Sequence, residues 1–438
     1  MKTIIGIRKE DKNKWERRTP LIPSHLTELM REHHLDIVVQ SSPLRVFPDE
    51  DYRREGAKVE ENLGACSLIL AIKEIPVGLL ERGKTYLFFT HTTKGQPHNM
   101  PLLKKLVDLG CSLIDYEKIV NEKGQRLLFF GRQAGQAGMI ETLWSLGQRL
   151  KAEGLSANPF QSVRQTYTYK SLVEAKEEIQ KLGWQIHDRG LHPSLSPLVC
   201  GFSGYGHVSQ GAQEIFDLLP FEEIQAEDLK SFFESGNQSS SRLYKVVFKE
   251  KDMVQPKAQG LPFDLQDYYN HPEKYESFFD SYLPYLTILV NCIFWAPKYP
   301  RFVTKSVLKK LYGADRAPRL RVIGDITCDI NGSMECTVKS TEPDKPSFIY
   351  DPFKDAAVES FEGRGPVVMA VDNLPAELPL ESSIFFSGAL KPFMPSIAAA
   401  DFSGDLDHCH LQEPIRKALI LYRGSFTPEY DYMRDFIK

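Results

Sequence analysis

Three side chains that can move protons or hold anions stand at the ends of short apolar runs near the start of the chain. Lys73 follows LILAI, His91 follows YLFFT, and Arg18 lies in the segment WERRTP. Because the loops after parallel strands build the ligand site of α/β folds, these positions indicate acid–base chemistry on an anionic substrate. Each residue alone also fits a plain structural role: a hydrogen-bonded histidine, a solvated amine, or an arginine paired with Glu16. Their grouping is what favours a catalytic site.

A glycine-rich turn farther along the chain indicates a second site, for a dinucleotide. The segment GFSGYGHVSQG lies between the strand-like SPLVC and an apolar helical stretch over 208–218. Gly204 would allow the tight turn, and Gly206 would let backbone N–H groups approach a pyrophosphate at the N-terminus of the helix. Ser209 stands where the fingerprint has its third glycine, and a turn without a ligand is the alternative. The predicted phosphate-binding residues are Gly204, Tyr205, Gly206, His207, Val208 and Ser209.

The same fingerprint expects an acidic residue about 20 positions later, which holds the ribose 2′-hydroxyl of NAD. Here the next strand is predicted over 221–225 and ends in the uncharged Gln225, with Glu227 and Asp228 just beyond. An uncharged strand tip repels a 2′-phosphate less than a carboxylate would. The sequence therefore favours NADPH over NADH as the cofactor.

These residues need a scaffold of alternating strands and helices, and the sequence has that rhythm. Helical spacing of apolar residues predicts helices over 24–32 and 100–109, and a long helix over 134–153 that leaves one domain and enters the next. Strands are predicted over 4–7, 37–39, 68–72, 86–89, 112–114, 196–200, 245–248, 287–291, 320–324 and 367–370.

The predicted fold is α/β: two Rossmann-like domains with parallel sheets, separated by a cleft and joined by long helices. A length of 438 residues is long for a single core, which also favours two domains. Residues 1–135 together with 376–438 are expected to form a substrate or catalytic domain. Residues 136–375 are expected to form the dinucleotide-binding domain.

Composition argues against several other classes of function. The net charge of -4 provides no basic field for nucleic acid or acidic lipid, so small-molecule partners are expected. Seven cysteines without CxxC spacing favour a reducing compartment, and no metal is predicted, since the run 408–410 (HCH) lacks ordinary ligand spacing. The apolar run 285–295 is too short to cross a membrane, and MKTIIGIRKE resembles no targeting signal, so a cytoplasmic location is expected.

Eight segments form a distinctive series in the order IGIRKEDKNKWERRTPLIP, LILAIKEIP, YLFFTHTTKGQ, LIDYEKIVNEKGQRLLFFGRQAGQAGMI, GFSGYGHVSQGAQEIF, NHPEKY, IGDITCDINGSMECT and VDNLPAELPLESS. They resemble successive signatures of the lysine–ketoglutarate reductase half of the bifunctional aminoadipic semialdehyde synthase family. The series is similar, more distantly, to fungal lysine-forming saccharopine dehydrogenase and to alanine dehydrogenase. The resemblance runs from Ile4 to about Phe426.

The resemblance implies a role for each matching residue. It makes Lys73 and His91 the acid–base pair and Arg18 a ligand of a substrate carboxylate, with Lys9 as a weaker cation. Glu117 and Arg132 are expected to border the substrate, although a basic residue at 132 departs from the family pattern. The residues expected on the cofactor side, besides the glycine-rich turn, are Gln225, Asn291, Asp325, Asp329 and Asn373.

The implied reaction is the reversible reduction, with NADPH or NADH, of the imine of L-lysine and 2-oxoglutarate to saccharopine. The half of the bifunctional family that oxidises saccharopine further is absent from this sequence, so a separate enzyme is expected for that step. Two alternatives remain open. One is an alanine-dehydrogenase-like or other opine-forming reductase for a different amine or 2-oxo acid. The other is a catalytically silent NAD(P)-binding protein.

Overall fold

The computed structural model describes residues 3–314 and 318–438. The chain divides into two compact units. Unit 1 consists of Met1–Phe130 and Pro379–Lys438, and unit 2 is the continuous stretch Gly131–Leu378. Each unit is built around one large β-sheet of eight strands.

The first stretch of unit 1 alternates strands and helices. Apolar, β-branched runs such as IIGI and DIVVQ form the strands, and a proline in the first turn begins α1 and α3. The strands are β1 (Ile4–Ile7), β2 (Asp36–Gln40), β3 (Lys58–Glu60), β4 (Leu68–Leu70), β5 (Thr85–Phe88) and β6 (Ser112–Asp115). The helices are α1 (Pro23–His33), α2 (Asp49–Arg54) and α3 (Met100–Asp108).

Unit 2 opens with the longest helix and continues with a second α/β series. Its helices are α4 (Gly131–Ala152), α5 (Leu172–Arg189), α6 (His207–Phe216), α7 (Leu229–Ser235), α8 (Glu250–Met253), α9 (Leu265–Asn270) and α10 (Lys305–Gly313). Its strands are β7 (Val199–Ser203), β8 (Phe221–Glu223), β9 (Leu243–Phe248), β10 (Val254–Pro256), β11 (Tyr275–Ser277), β12 (Ile288–Asn291), β13 (Val322–Asp325), β14 (Ser347–Asp351), β15 (Ala356–Val358) and β16 (Val367–Met369).

The last stretch of the chain completes unit 1. It contributes α11 (Pro379–Leu390), α12 (Met394–Ala399), α13 (Glu413–Lys417), β17 (Leu419–Tyr422) and β18 (Ser425–Phe426). The sheet of unit 1 has the order β18-β17-β6-β5-β4-β1-β2-β3. The six strands β1 to β6 are parallel, whereas β17 pairs antiparallel with β6 and β18 with β17.

The sheet of unit 2 has the order β15-β14-β16-β13-β12-β7-β9-β8. Strands β14 and β15 run antiparallel to their neighbours and the other six are parallel. Successive residues of its strands pack into different cores, since Ile288 and Val290 join the cluster that contains α4 to α6, and Leu289 joins the cluster on the other face. Both faces are therefore covered, as expected for parallel strands.

The predicted α/β class with two Rossmann-like domains is confirmed, with one difference. Each sheet is mixed, because antiparallel strands extend the parallel set at one edge. Among the described residues, no helix is both long and apolar enough to span a bilayer.

Candidate functional site

The predicted acid–base residues follow neighbouring strands of unit 1. Arg18 lies in the segment after β1, Lys73 comes three residues after β4, and His91 comes three residues after β5. These three strands are parallel neighbours, so the segments that follow them leave the same edge of the sheet. In addition, β1 lies between β2 and β4, where the strand order changes direction. Such a switch point is the usual ligand site of doubly wound sheets.

Lys73 is held through its backbone by a buried carboxylate. Glu10 accepts hydrogen bonds from the N–H groups of Ile72 (2.6 Å) and Lys73 (3.0 Å), which ties the segment after β1 to the segment after β4. Burial raises the pKa of Glu10 to about 7. Burial also lowers the pKa of Lys73 from its usual value, and the nearby Arg18 guanidinium lowers it further. A lowered pKa increases the share of neutral lysine, the form that can accept a proton.

His91 is oriented by Glu74, a residue that the sequence analysis did not single out. The His91 Nδ1 lies 2.7 Å from Glu74 Oε1, and Asn99 Nδ2 donates to the His91 carbonyl at 3.1 Å. His91 has a φ of 51°, a left-handed conformation that is uncommon outside glycine and recurs at functional sites. The side chain of His91 is 39% exposed, and its Nδ1 contacts Glu74. The other ring nitrogen, Nε2, can therefore contact a substrate.

Glu74 stays ionised in this arrangement. Burial by itself would raise its pKa, but the hydrogen bond with His91 and the Lys12 ammonium, 3.0 Å away, lower the pKa of Glu74 to about 2. A carboxylate that accepts a hydrogen bond from Nδ1 fixes the tautomer of the neutral imidazole and the orientation of the ring. We refer to Lys73, Glu74 and His91 as the acid–base cluster.

Arg18 is buried and its charge is balanced. Its Nε and Nη2 donate to the two carboxylate oxygens of Glu16 at 2.8 and 2.6 Å, and its guanidinium lies 4.3 Å from the centre of the Phe130 ring. Arg18 is 2% exposed and Glu16 is 1% exposed. A desolvated guanidinium forms strong, charge-assisted hydrogen bonds with carboxylates. This suits the predicted role of Arg18 as a ligand of a substrate carboxylate, which would bind the guanidinium together with Glu16.

Two other predicted substrate residues lie in unit 1. Glu117 follows β6, forms an ion pair with Arg126, and donates its N–H to Asp115 Oδ1 at 2.8 Å. Asp115 also accepts a hydrogen bond from Thr90 Oγ1, which joins the ends of β5 and β6, and burial raises the pKa of Asp115 to about 6. Lys9 lies just after β1 and is partly buried.

Arg132 belongs to unit 2 and contacts residues of that unit. It is the second residue of α4, and its Nη2 lies 2.7 Å from Glu214 Oε2 on α6. Lys176 and Gln136 bind the same carboxylate at 2.5 and 2.9 Å. The structure therefore places Arg132 in a polar cluster at the α4–α6 contact.

Residues 204–206, which we call the glycine turn, have the geometry that a dinucleotide fingerprint requires. Gly204 has a φ of 83°, and its N–H donates to the Phe248 carbonyl at 2.9 Å. Gly206 is exposed and is the N-cap residue of α6, and a Cβ added there would meet no atom within 4 Å. Tyr205 and His207 are exposed, and Val208 is partly buried. The open space at Gly206, beside the N-terminus of α6, fits a pyrophosphate.

Ser209 replaces the third glycine without loosening the packing of α6. Its side chain is buried, and its hydroxyl accepts a hydrogen bond from Gln213 Nε2 at 2.9 Å. The close approach is instead made between α4 and α6, where a Cβ on Gly211 would lie 2.1 Å from the Arg132 carbonyl oxygen.

The expectation for Gln225 rested on a strand order that the structure does not have. The strand before it, β8, lies at the edge of the sheet, and β9 separates β8 from β7. Gln225 is exposed and follows β8, so it is not at the tip of the strand beside the glycine turn. That position falls to the residues after Phe248, among them Glu250, which sequence reasoning missed because the chain order of strands does not give their spatial order.

Asn291 and Asp325 end two adjacent strands, β12 and β13, and form a buried polar network. Asn291 accepts from Ser203 Oγ at 2.8 Å and donates to Asp325 Oδ1 at 2.8 Å and Ser333 Oγ at 3.0 Å. Thr337 Oγ1 donates to Asp325 Oδ2 at 2.5 Å. Burial raises the pKa of Asp325 to about 6. We interpret both residues as holding the strand ends in position.

The other two residues expected on the cofactor side are partly buried in loops. Asp329 lies in the loop after β13, where its carbonyl accepts from the Gly332 N–H at 2.8 Å. Asn373 precedes the short helical turn Leu374–Glu377, and its carbonyl accepts from the Ala376 N–H at 2.9 Å. Among the residues that the structure describes, no group of three or more His, Cys, Asp or Glu side chains is arranged to hold a metal.

Comparisons with known proteins show what the chain is similar to. The family model for the alanine dehydrogenase/PNT N-terminal domain matches residues 6–137. The alpha-aminoadipic semialdehyde synthase of Arabidopsis thaliana is 39% identical over 445 residues, covering 98% of this chain and 41% of the relative. The chain thus spans less than half the length of that relative. The NAD(+), L-lysine-forming saccharopine dehydrogenase of Neurospora crassa is 25% identical over 402 residues, covering 89% of this chain and 90% of the relative.

Among solved structures, an L-alanine dehydrogenase matches with a TM-score of 0.63 and 16% identity, and each chain is covered over 100% of its length. At that identity the likeness concerns the fold. The sequence relatives reach further, because they match along 98% and 89% of this chain and so include both units. The chain is thus similar along nearly its whole length to part of the alpha-aminoadipic semialdehyde synthases and more distantly to the saccharopine dehydrogenases, and its residues 6–137 match the alanine dehydrogenase/PNT N-terminal domain.

Proposed function

We propose that the chain is an NAD(P)-dependent oxidoreductase that reduces the imine of L-lysine and 2-oxoglutarate to saccharopine and also runs the reverse reaction. Two relatives that match along most of this chain are named for saccharopine and for aminoadipic semialdehyde. The observation that carries the proposal is the acid–base cluster, in which a lysine of lowered pKa and a carboxylate-bound histidine follow adjacent parallel strands. In this proposal unit 1 is the substrate and catalytic domain, and unit 2 binds the dinucleotide.

The first steps of this reaction need a base and then an acid. The ε-ammonium of lysine, with an ordinary pKa near 10.4, must lose a proton before its nitrogen attacks the ketone carbon of 2-oxoglutarate. Lys73 Nζ accepts that proton. Addition forms a carbinolamine, and protonated His91 then donates from Nε2 to its hydroxyl, so that the C–O bond breaks, water leaves and the imine forms.

The chain's other residues bind and orient the reactants. Saccharopine carries three carboxylates, so its site requires several fixed cations or N–H donors. We propose Arg18 as the principal carboxylate ligand and Lys9 and Arg132 as weaker ones, with Glu117 at the border of the site. The glycine turn would orient the bound nicotinamide dinucleotide, which supplies the hydride that reduces the imine.

The setting of the enzyme is part of the same proposal. All seven cysteines are free thiols, which suits a reducing compartment such as the cytoplasm. Fractionation of the source cells, with activity assayed in each fraction, tests the location.

The test of function is spectrophotometric oxidation of NADH and of NADPH by the purified chain with lysine plus 2-oxoglutarate. We expect oxidation that requires both substrates, and saccharopine as the product by mass spectrometry. Ammonia plus pyruvate is the matched control for an alanine-dehydrogenase-like reaction. Activity with that pair alone, or with another amine and keto acid, would replace the substrate assignment. Dinucleotide binding without turnover on any pair would indicate a silent binder.

A further inference from the structure

Helix α5 of unit 2 carries a narrow row of exposed side chains that the proposed reaction does not use. Residues that recur along a helix at intervals of three and four lie within about 80° of one another around its axis. Five exposed residues of α5 have this spacing: Val173, Glu177, Lys181, Trp184 and Asp188. Lys170, which is also exposed, precedes Val173 by three residues. We call these six residues the α5 stripe.

The opposite face of α5 is fixed in the core of unit 2. A Cβ on Gly183 would lie 2.7 Å from the Leu218 carbonyl oxygen, so the helix lies directly against the backbone of that segment. The N-cap Ser171 accepts from the Glu174 N–H at 3.3 Å, and the helix ends at Gly190 with a φ of 73°. The apolar residues buried on this face are Leu172, Ala175, Ile179, Leu182 and Ile186. The α5 stripe is thus held on an ordered helix, so a partner that binds it need not order the backbone.

Two large apolar side chains of the α5 stripe face the solvent. Trp184 is 59% exposed and Val173 is 63% exposed, on the same side of the helix. A tryptophan offers a large, flat apolar area and one N–H donor, and it is enriched at the centres of protein interfaces. A single exposed apolar residue is ordinary, but two in one row with charges between them indicate a contact surface.

The two charges between these apolar residues are not used within the chain. Glu174, on the flank of the helix, binds Arg164 at 2.8 Å. In the part of the chain that the structure describes, Glu177 and Lys181 form no such ion pair, although four residues separate them on one helix. Both charges can therefore pair with a partner.

The order of residues in the α5 stripe is its own complement. From Lys170 onward it is cation, apolar, anion, cation, apolar, anion. If a second copy is turned end for end, each cation faces an anion and each apolar residue faces an apolar one. The facing pairs are Lys170 with Asp188, Val173 with Trp184, and Glu177 with Lys181.

One twofold axis satisfies all three pairs. Their midpoints fall within about half a residue of Ile179, which is less than about 1 Å along a helix with a rise of 1.5 Å per residue. In a parallel arrangement, by contrast, Glu177 would face Glu177 and Lys181 would face Lys181, which is unfavourable for both charges. The stripe therefore fits an antiparallel copy of itself.

We propose that two copies of this chain form a dimer about a twofold axis by antiparallel pairing of their α5 stripes. The same surface is used by both copies, as a dimer of this symmetry requires. The tryptophan–valine contacts bury apolar area, and the two central ion pairs set the register. A contact made by one pair of helices is small, so we expect a dissociation constant on the order of micromolar. The dimer does not depend on the proposed reaction.

Sedimentation equilibrium of the full chain, over about 1 to 100 μM, measures the association. We expect a monomer–dimer equilibrium that weakens at high salt, because salt screens the ion pairs. Trp184→Glu places a charge at the apolar contact and should leave the chain monomeric over this range. Lys230→Glu, a charge reversal at a side chain of α7 that is 74% exposed, is the matched control and should leave the equilibrium unchanged.

A charge exchange tests the antiparallel register. Glu177→Lys sets like charges opposite each other twice in the dimer, so the dissociation constant should rise by about tenfold or more. Lys181→Glu should have the same effect. The double variant with both substitutions again has opposite charges across the contact, and its dissociation constant should return to within about threefold of the original. A general effect on folding would not be reversed by the second substitution.

Two results would overturn the inference: a chain that stays monomeric over the whole range, and an assembly that Trp184→Glu and Glu177→Lys leave unchanged, because that assembly uses another surface. A larger assembly that loses one association step in both variants supports the α5 contact. Thermal unfolding of each variant should match that of the original chain, since the substituted side chains are exposed. If Trp184→Glu does not fold, the charge exchange decides the question.

Discussion

The carboxylates around Lys73 and His91 act on these two residues in different ways. Glu10 accepts hydrogen bonds from the backbone of the Lys73 segment, so it fixes the backbone position from which the Lys73 side chain extends. Glu74 hydrogen bonds to Nδ1 of the His91 ring and stays ionised, so it fixes the orientation of the ring. Lys73 itself is affected chiefly by burial and by Arg18, which lower its pKa. The surroundings thus favour the proposed base at Lys73 through its pKa and orient the proposed acid at His91 through a hydrogen bond.

Replacing Lys73 with Met tests the base. The variant keeps an unbranched side chain of similar length but cannot accept a proton, so we expect kcat to fall by a factor of about 10² to 10⁴. The NADH dissociation constant should stay within about twofold of the original, because the change lies in the other unit. Lys104→Met, at an exposed position on α3, is the matched control and should keep full activity. Unchanged turnover in Lys73→Met would remove this residue from the mechanism.

Replacing Glu74 with Gln tests the acid. Glutamine can still hydrogen bond to Nδ1, but it removes the negative charge beside the ring. We expect kcat to fall by about tenfold and the pH dependence of kcat to change, because the charge next to the proposed proton donor is lost. The measurement is kcat over a range of pH in both proteins. A variant with reduced activity and an unmoved profile would assign Glu74 a purely structural role.

Some of these residues could be predicted from the sequence, and others could not because their contacts form only when strands distant in sequence pair. Lys73 and His91 could be predicted because each directly follows an apolar run that forms a buried strand. Glu10 could not, since its hydrogen bonds reach across 62 residues and exist only once β1 and β4 pair. Glu74 stands next to Lys73 in the sequence, yet its contact with His91 depends on the pairing of β4 with β5.

Helices α4 and α6 meet more closely than ordinary side chains allow. A Cβ on Gly135 would lie 1.9 Å from the Val208 carbonyl oxygen, and Gly211 is as closely opposed to α4. Val208 lies in the first turn of α6, directly after the glycine turn. The glycines of α4 therefore set the position of the helix end that the pyrophosphate is proposed to meet.

The variants Gly135→Ala and Gly206→Ala separate packing from binding. Gly135→Ala forces α4 and α6 apart, and we expect a loss of stability of about 1–3 kcal/mol or more in urea unfolding. Gly206→Ala adds a methyl group in open space with a φ of -75°, so stability should be unchanged while dinucleotide binding weakens. Equal stability of both variants would contradict the role of the close helix contact.

The secondary structure of the parallel core was largely predictable, and the edges were not. Strands such as β1, β4, β5 and β12 are fully or mostly buried and appear as continuous apolar runs. Strands β14, β15, β17 and β18 were not predicted, because they pair antiparallel at a sheet edge, two of them over three residues or fewer. The position of β8 at the edge of the sheet could not be predicted either, since the packing of the whole sheet determines which strands pair.

Buried carboxyl groups give the molecule a common pH response. Burial raises the pKa of Glu10 and Glu141 to about 7 and that of Asp115 and Asp325 to about 6, with two of these residues in each unit. The unfolded chain ionises these groups near pH 4, so their stabilising effect is full below that pH and is lost as the pH rises through 6 and 7.

We therefore expect the free energy of unfolding to fall between about pH 5 and pH 8, by a few kcal/mol. Glu377 tests the cause, because it lies beside Glu141 in the interior of unit 2 and its pKa is raised by burial and by that neighbour. Glu377→Gln removes one ionisation and should flatten the fall by about 1–3 kcal/mol, measured by urea unfolding at several pH values. Lys354→Gln, at an exposed position, should leave the slope unchanged. A stability that rises from pH 5 to pH 8 would contradict the assignment.

Unit 1 is assembled from the first and last parts of the chain, and this has a consequence for how the protein is made. A ribosome releases all of unit 2 before it releases Leu419–Tyr422, the strand that covers β6. Until then the outer edge of β6 has unpaired backbone groups, the kind of edge that invites pairing with another nascent chain. The rate of translation over the final helices would then govern the yield of folded protein. A chaperone that shields Ser112–Asp115 would raise that yield.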